Sequence, residues 1–554
     1  MIKPYKKRGR IRLLFCPIKF ENTNVIILFQ SRSYNLARII LTGVVKYMEM
    51  NLTRQGIKTG EILFEQSIEQ AVDTDFMLPD YCADIVRVLK CRMCPRIFSK
   101  SVTGDSLIVD GVAAITLIYC DDNKKICSFE QEVPFQKNIS LKAEGEDCNV
   151  TVTACTDYLN CRPITPRKVD VHGVVALKVS VSGCRKTDII TDIDAKCMHL
   201  KRGFCPATNP ISTTEKIVVI EEELELALGK GNILSILRND VSAVIDECKL
   251  IGSKAVIKGD LVINALYCTT EGNAEVYENK IPFNQIMDVV TEGEDCKCSA
   301  KIDVMSSILK PRTNISGECK SFSFETKLCI KTIVSCDNDL PLIYDAFNTE
   351  KPITFDKKMV AFKKLESTHS ERFLCKKMLE FSENSFGSVI DMWCEDKING
   401  VKIKDGVLVS FGTVLICILL RDAEGEPQYY ERAVDFEYKH NIEADMQGLS
   451  AEVTAKTASK AYTIAGDSKL EARIELLIVV EYYRQRKEDV ITEVAVLEDG
   501  EIPTKKAPIV VYFADKGEEI WEIAKRYNSA PEDICSLNKL EGEKIENPCT
   551  VIIP

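Results

Sequence analysis

Apolar residues recur along this chain in runs with partial alternation, which predicts β-strands. Segments 107–119, 256–267 and 407–420 are rich in Val, Ile, Leu and Thr. Each is followed by a polar turn (DDNKK, TTEGN or RDAEGE) and a further short strand-like run, a pattern typical of β-hairpins. Later apolar runs (VDVHGVVALKVSVS, FSFETKLCIKTIVS, LEARIELLIVVEYY) complete each region. We therefore expect several antiparallel strands per region, packed as a sandwich or barrel.

A short acidic motif shows that these regions are copies of one another. The residues EGEDC at 144–148 recur at 292–296, an offset of 148. The flanking sequence keeps the same offset, since the triplet VPF at 133–135 corresponds to IPF at 281–283. A period this long indicates duplication of a whole domain rather than a solenoid of short units.

A third copy follows the second at an offset of 153. Gly111 and Gly259 correspond to Gly412, whereas the third copy lacks the EGEDC motif. A glycine repeated inside a strand predicts a bend or a close approach of another backbone. The predicted domains are 60–200, 205–345 and 350–490, followed by a linker at 491–509 that should let the C-terminal residues move somewhat independently.

Composition and charge exclude several classes of protein. The 554 residues carry a net charge of −11, which argues against binding nucleic acid through its phosphates. Residues 1–47 differ, with ten Lys and Arg against one Glu, a net charge of +9, and we interpret them as a disordered arm or sequence upstream of the true start. The sequence contains no apolar run of about 18 residues, so it predicts no membrane-spanning helix.

The residues capable of chemistry do not form a recognisable catalytic or metal site. Most of the 24 cysteines lie in apolar strand-like runs, which favours free thiols in a reducing cytosol, and Cys148 and Cys296 of EGEDC suit a shared core position. The pair Cys91-x-x-Cys94 stands alone, whereas a zinc site needs more ligands at short spacing. Phosphate-binding and dinucleotide-binding glycine motifs are absent from the sequence. We therefore predict a protein that is not an enzyme and has no metal or cofactor.

The last 45 residues have a different pattern. Residues 510–513 read as a strand, and Ile520, Ile523, Ala524 and Tyr527 fall on one face of a helix. Pro531 begins a second helix at a position where proline is tolerated, and residues 550–553 form a closing strand. The predicted order of this C-terminal module, residues 510–554, is βααβ.

The repeated regions resemble SPOCS domains. The strand pattern G-x7-Y and the segment LPDYCADIVRVL at 78–89 are similar to that family, although Cys82-Ala83 departs from its usual proline form. The resemblance covers about 60–490. Together with a small C-terminal module, it resembles the architecture of the SipL-type spore-coat morphogenetic proteins.

The C-terminal module resembles LysM modules. The residues that fit the LysM pattern are Gly517, Ile520, Trp521, Ile523, Ala524, Tyr527, Leu537, Asn538, Ile553 and Pro554. The resemblance implies a shallow groove for N-acetylglucosamine polymers between loops 515–520 and 540–548. The usual Asp-Thr after the glycine is Glu518-Glu519 here, and the module is acidic, so a basic protein partner is an equal alternative.

The resemblance assigns roles to particular residues of the module. The candidate residues for ligand or partner binding are Lys516, Gly517, Glu518, Glu519, Ile520, Asn538, Leu540, Ile545, Asn547 and Pro548. The candidate core residues are Trp521, Ile523, Ala524, Tyr527 and Leu537.

Two functions follow from these resemblances. The first is a non-enzymatic spore-coat assembly protein in the mother-cell cytosol, at the forespore surface, which docks to a coat-basement ATPase through its LysM and β modules. The alternative is a cell-wall protein that binds the glycan strands of peptidoglycan.

Overall fold

The computed structural model is nearly all β. It describes residues 19–20, 23–24, 50–141, 146–291, 296–381, 386–443, 447–466, 468–497 and 509–554. Two short strands, β1 (Lys19–Phe20) and β2 (Thr23–Asn24), pair with each other within the basic N-terminal segment. Residues 144–145 of the first EGEDC motif and 292–295 of the second lie outside the described residues.

Eighteen longer strands fall into three sets of six. The strands of set 1 are β3 (Asn51–Met77), β4 (Arg87–Thr103), β5 (Ser106–Cys120), β6 (Ile126–Ser140), β7 (Glu146–Thr165) and β8 (Lys168–Asp194). Those of set 2 are β9 (Met198–Glu225), β10 (Ile233–Ile251), β11 (Lys254–Thr269), β12 (Ala274–Asp288), β13 (Cys296–Thr313) and β14 (Cys319–Asn348). Those of set 3 are β15 (Ile353–Glu380), β16 (Phe386–Lys404), β17 (Val407–Asp422), β18 (Pro427–Asn441), β19 (Leu449–Ile464) and β20 (Lys469–Val496).

Each set folds into two antiparallel three-stranded sheets. In set 1 these are β4-β5-β6 and β3-β8-β7, and the other two sets repeat the same order. The inward-facing side chains of both sheets make one core, as in the cluster of Leu261, Ile263, Phe322 and Ile330 in set 2. The predicted class, antiparallel β-sandwich repeats, is confirmed.

The repeated glycine lies where the sequence pattern placed a close approach. Gly111, Gly259 and Gly412 each pair across the strand with the phenylalanine of the repeated triplet, Phe135 in set 1. A Cβ added at Gly259 would collide with the carbonyl oxygen of Val244 and with the ring of its phenylalanine partner. Glycine is therefore required because the aromatic ring lies directly over the backbone.

A β-bulge also repeats in all three sets. The ladder shifts register between Val88 and Lys90, and at the equivalent places of β10 and β16. The extra residue in the first strand is Leu89 and in the second is Leu237. A bulge turns one side chain away from the regular alternation, and here it aims these leucines out of their own sandwich.

The three sets meet at a shared core, which we call the central junction. It contains Leu89, Ile118, Cys120 and Ile126 from set 1, Leu237, Leu266 and Cys268 from set 2, and Trp393, Cys417 and Leu419 from set 3. Side-by-side contacts run from β6 to β10, from β12 to β16 and from β18 to β4, which closes a ring. The copies therefore form one ring of three rather than a linear array of separate domains.

The long strands converge at a second shared core. Their ends contribute Ile190 and Ile193 from set 1, Ile343 and Ala346 from set 2, and Ile491 and Val494 from set 3. A neighbouring cluster joins residues such as Ile57, Leu342 and Phe362 from the same three sets. These strand ends form the surface against which the C-terminal module packs.

The C-terminal module has the predicted βααβ order. Its elements are β21 (Val510–Ala514), α1 (Ile520–Tyr527), α2 (Pro531–Asn538) and β22 (Cys549–Ile553). Both helices end at a residue in the left-handed conformation, Asn528 for α1 and Lys539 for α2. Such a residue redirects the chain after the last helical turn.

Two expectations about the chain's organisation are wrong. The predicted linker at 491–509 begins inside β20, which ends at Val496, and set 1 starts at Asn51 rather than near residue 60. The other predicted domain bounds stay predictions.

Cys148 and Cys296 do not share a core position, because Cys148 is exposed while Cys296 forms a disulfide with Cys336 on the paired strand β14.

Candidate binding site of the C-terminal module

The two loops of the predicted groove are bonded to each other through their backbones. Gly517 donates its N–H to the carbonyl oxygen of Ile545, and Ile545 donates to Glu518, at 2.8 and 2.9 Å. Ile520 donates to Glu543 at 2.9 Å. Gly517 has a φ of +89°, a conformation that glycine adopts without strain. These bonds fix the loop geometry and leave fewer backbone groups for a ligand.

The two glutamates at the lip are also engaged. Glu518 accepts hydrogen bonds from the Tyr512 hydroxyl at 2.8 Å and from the backbone N–H of Asp515 at 3.0 Å. Glu519 pairs with Lys544 at 3.3 Å and with Lys201, a residue of β9 in set 2. Hydrogen bonds from Lys201 and then Lys544 hold the pKa of Glu519 below its usual range.

Several candidate ligand residues are structural. Ile520 and Ile545 are buried in the core of the module, and Leu540 packs against that core. The side-chain amide of Asn538 ties α2 to β22, since it donates to Ile552 at 2.6 Å and accepts from the Ile552 N–H at 2.7 Å. Assigning Ile520, Ile545 and Asn538 to ligand contact was wrong, because their side chains are used within the module.

The remaining candidates face the solvent. Lys516, Gly517, Asn547 and Pro548 are exposed around the rim. The same rim carries the exposed carboxylates Asp515, Glu541, Glu543 and Glu546. The accessible part of the predicted groove is therefore mainly acidic.

The predicted core residues divide into three groups. Ile523 and Ala524 are buried, and Tyr527 is partly buried, with its ring centroid 5.5 Å from that of Tyr512. Leu537 is 49% exposed, so placing it in the core was wrong, because it lies on the outer side of α2 while Ile534 faces inward. Trp521 lies at the boundary of the module.

Trp521 anchors the module on set 2. Its ring packs edge-on against Phe347 of β14, with ring centroids 5.0 Å apart, and its indole N–H donates to Asp345 at 2.8 Å. Lys525, one turn further along α1, donates to both oxygens of the same carboxylate at 2.8 and 2.7 Å. Burial disfavours the charged form of Asp345, but the hydrogen bonds from Lys525 and Trp521 outweigh it and lower its pKa.

Further contacts extend this docking surface. The side-chain amide of Asn528 donates to the carbonyl oxygen of Thr349 at 2.7 Å. His199 stacks on Phe347 and lies 3.6 Å from Glu532 of α2. The expectation that the module moves independently therefore differs from the structure, in which its core continues into set 2 through Phe347.

The sequence contained a signal for this surface that periodicity could not detect. The position of Phe347 is occupied by Asp194 in set 1 and by Ala495 in set 3, as the equivalent strand registers show. A large aromatic residue at one of three equivalent strand ends indicates a local partner. Recognising it requires the register of the long strands, which the bulges obscure.

Two pairs of cysteines lie close together in sets 1 and 2, outside the C-terminal module. Cys91 and Cys161 lie in the same core cluster on facing sheets, and a hydrogen bond between them raises the pKa of the Cys91 thiol. In set 2, Cys248 and Cys298 bring their sulfurs within 3.2 Å across the corresponding strands β10 and β13. Within the described residues, no group of three or more His, Cys, Asp or Glu side chains could hold a metal ion.

A cavity of about 1020 Å³ lies beside the central junction. Residues of all three sets line it, among them Arg92, Arg238 and Lys460 on the basic side and Asp240 and Asp396 on the acidic side. Asp396 is already bonded to Thr457, through its backbone N–H at 3.1 Å and its hydroxyl at 2.8 Å. Arg92 and Arg238 both pair with Asp240, and Lys460 pairs with Glu278 at 3.2 Å, so the charges that line the cavity are largely matched internally.

Part of the chain is similar to a known protein family. Residues 84–164 and 232–309 match the family model described as SipL, SPOCS domain. No curated protein and no solved structure matches the chain. In the described part of the chain, no helix is long and apolar enough to cross a membrane. The two matched segments lie in sets 1 and 2, at equivalent strands, so these two sets contain segments similar to the SPOCS domain of SipL.

Proposed function

We propose that this chain is a non-enzymatic spore-coat assembly protein that docks to other coat proteins. The observation that carries the proposal is the pair of segments similar to the SPOCS domain of SipL. The coat-basement ATPase is the proposed partner, and the forespore surface in the mother-cell cytosol is the proposed location.

The outer surface of the C-terminal module supports a protein partner. On the outer face of the β21–β22 sheet, Phe513 is 77% exposed, and Val511 and Ile552 beside it are also exposed. An exposed apolar patch with a charged border is typical of a protein-binding surface. Here the border is the acidic rim, so the matching surface would be apolar and basic.

The same features weigh against a glycan ligand. Sugar-binding sites combine free polar groups with an accessible aromatic ring. In this module the loop backbones bond to each other, and the indole of Trp521 is committed to Asp345 and Phe347. Peptidoglycan binding is accordingly the second candidate and is tested in the same experiment.

The test uses the full chain immobilised on a sensor. Purified coat-basement ATPase should bind saturably, and Phe513→Glu should weaken this binding about tenfold or more, because hot-spot aromatics commonly contribute that much. Ser536→Glu, which adds the same charge at an exposed position of α2 outside the candidate binding residues, is the matched control and should leave binding unchanged. Saturable co-sedimentation of the chain with purified peptidoglycan, without ATPase binding, would replace the proposal with the cell-wall alternative.

A further inference from the structure

The strand ends of the three sets carry an acid and a base at equivalent positions. In each set the acid lies just after a bulge in the last long strand. The base lies on the first strand, which is paired with the last, and its partner in the ladder is the residue just before that bulge. The acids are Asp192, Asp345 and Glu493, and the bases are Arg54, Arg202 and Lys357. The ring of three sets therefore has three equivalent seams where the base of one set meets the acid of another.

Two of these seams are closed by ion pairs. Arg202 of set 2 bonds Asp192 of set 1 at 2.6 Å. Arg54 of set 1 bonds Glu493 of set 3 at 2.7 Å. The direction is the same in both cases, so the third pair of this ring would join Lys357 of set 3 to Asp345 of set 2.

The third seam is different. Lys357 donates instead to the carbonyl oxygen of Tyr344 at 2.8 Å, one residue before Asp345. The Asp345 carboxylate accepts from Trp521 and Lys525 of the C-terminal module. The ammonium group of Lys525 also lies 5.8 Å from the centre of the Phe355 ring in set 3. The module thus occupies the acid that the other two seams use to join neighbouring sets.

Set 2 is the set equipped to receive the module. Beside its acid it has Phe347, where sets 1 and 3 have Asp194 and Ala495. Opposite Asp345 on the paired strand, set 2 has Lys201, which pairs with Glu519. The other two sets have Thr53 and Asp356 at that position. An aromatic anchor and a cation for the acidic lip are therefore combined at one seam.

We propose that Asp345 exchanges between two partners, the Trp521–Lys525 face of the chain's own C-terminal module and Lys357 across the seam. In the docked state the module holds Asp345, and the seam between sets 2 and 3 lacks its ion pair. In the released state Lys357 moves by about one residue along β14 and closes the third pair.

This exchange makes the strand ends of set 2 a recognition surface. Release of the module uncovers Phe347 and the imidazole of His199, now stacked together at 5.1 Å. The vacated surface fits a helix that presents a tryptophan and a lysine one turn apart, as α1 does at 521 and 525. A partner that binds this face of α1 competes with Asp345, so its binding is coupled to closure of the seam.

The docking contact can be measured by acrylamide quenching of tryptophan fluorescence in the full chain. The two tryptophans are Trp521, at the contact, and Trp393, which is buried, so a change in quenching reports Trp521. We expect Asp345→Asn to lower the ratio of docked to released molecules about tenfold, because it removes charge-assisted hydrogen bonds, and to increase quenching. The matched control is Glu493→Gln, the equivalent acid at a seam without the module, which should leave quenching unchanged. Equal quenching of the Asp345→Asn variant and the unaltered chain would overturn the docking role of Asp345.

The exchange itself is tested by removing the competing base. In a Lys525→Met background, which weakens docking, we expect Lys357→Met to restore the docked state and reduce quenching, because Asp345 then has no second partner. The same substitution at the equivalent base, Arg202→Met, should have no such effect. If Lys357→Met leaves quenching in this background unchanged or increases it, Asp345 does not exchange and the proposal is wrong.

Discussion

The central junction and the docking surface of the C-terminal module both join separate parts of the chain through an aromatic ring and an acid–base pair. At the junction, Arg238 of set 2 bonds Asp391 of set 3 at 2.6 Å and lies over the ring of Trp393. At the docking surface, Lys525 bonds Asp345 beside the ring of Trp521. The chemistry is similar, but the surroundings differ.

Burial is the difference that matters. The side chains of Arg238 and Asp391 are 3% and 2% exposed, whereas those of Lys525 and Asp345 are 39% and 16% exposed. A fully buried charge that loses its partner cannot be solvated, whereas a partly exposed one can be solvated by water. The junction is therefore suited to permanent assembly, and the docking surface to a contact that can open.

The largest effect is expected at the junction. Arg238→Met leaves Asp391 buried without its cation, and we expect a loss of about 3–5 kcal/mol in the free energy of unfolding. Urea denaturation followed by circular dichroism measures this change. The double variant with Asp391→Leu should recover most of the loss, because it removes the uncompensated charge. A single variant as stable as the unaltered chain would show that the pair does not hold sets 2 and 3 together.

A second effect is expected at the docking surface. From the sequence, Trp521→Ala should unfold the module by loss of its core, but the position of the ring against Phe347 predicts release of a folded module. In hydrogen exchange, peptides covering β14 near 345–349 should lose protection while those covering α2 and β22 keep it. Ile523→Ala, inside the module, is the control and should expose both. Loss of protection throughout 510–554 in the Trp521→Ala variant would return Trp521 to the core.

The parts of this structure that sequence predicts well are those fixed by short-range pattern. Alternation and turns identified the strands, and the recurrence of the EGEDC motif located the repeat, with Gly111 and Phe135 recurring at the same offset. In the module, Ile523 and Ala524 follow from helical spacing, because one face of a short helix must be buried.

The contacts between the units could not be predicted in the same way. Leu89 leaves its own sandwich because a bulge shifts it out of register, and a bulge has no clear sequence signature. Trp521 fits a core residue by spacing, but its partner Asp345 lies 176 residues away in the chain. The roles of both residues depend on long-range packing, which periodicity does not contain.

Acid should release the module from set 2. Hydrogen bonds from Lys525 and Trp521 lower the pKa of Asp345 despite its burial, so docking is stable above the ordinary carboxyl pKa of 3.8 and is lost as the pH falls through the lowered value. Hydrogen bonds from Lys201 and Lys544 also lower the pKa of Glu519, so protonation of Glu519 at low pH weakens docking as well. Acrylamide quenching of Trp521 between pH 6 and pH 2 follows the step. Asp345→Asn should abolish most of it, and a step that persists unchanged would assign the transition to another group.

The smallest effect is expected at the seam between sets 1 and 3, where Arg54 bonds Glu493 at 2.7 Å with both side chains open to solvent. We expect Arg54→Gln to leave the midpoint of urea denaturation unchanged within error, since water screens an exposed pair and replaces its hydrogen bonds. The same change at Arg238 should shift the midpoint clearly, which makes the two variants a matched test of burial. If Arg54→Gln were as damaging as Arg238→Gln, position in the ring rather than burial would determine stability. The three seams would then contribute about equally to the stability of the folded chain, and the diversion of Asp345 to the module would lower that stability substantially.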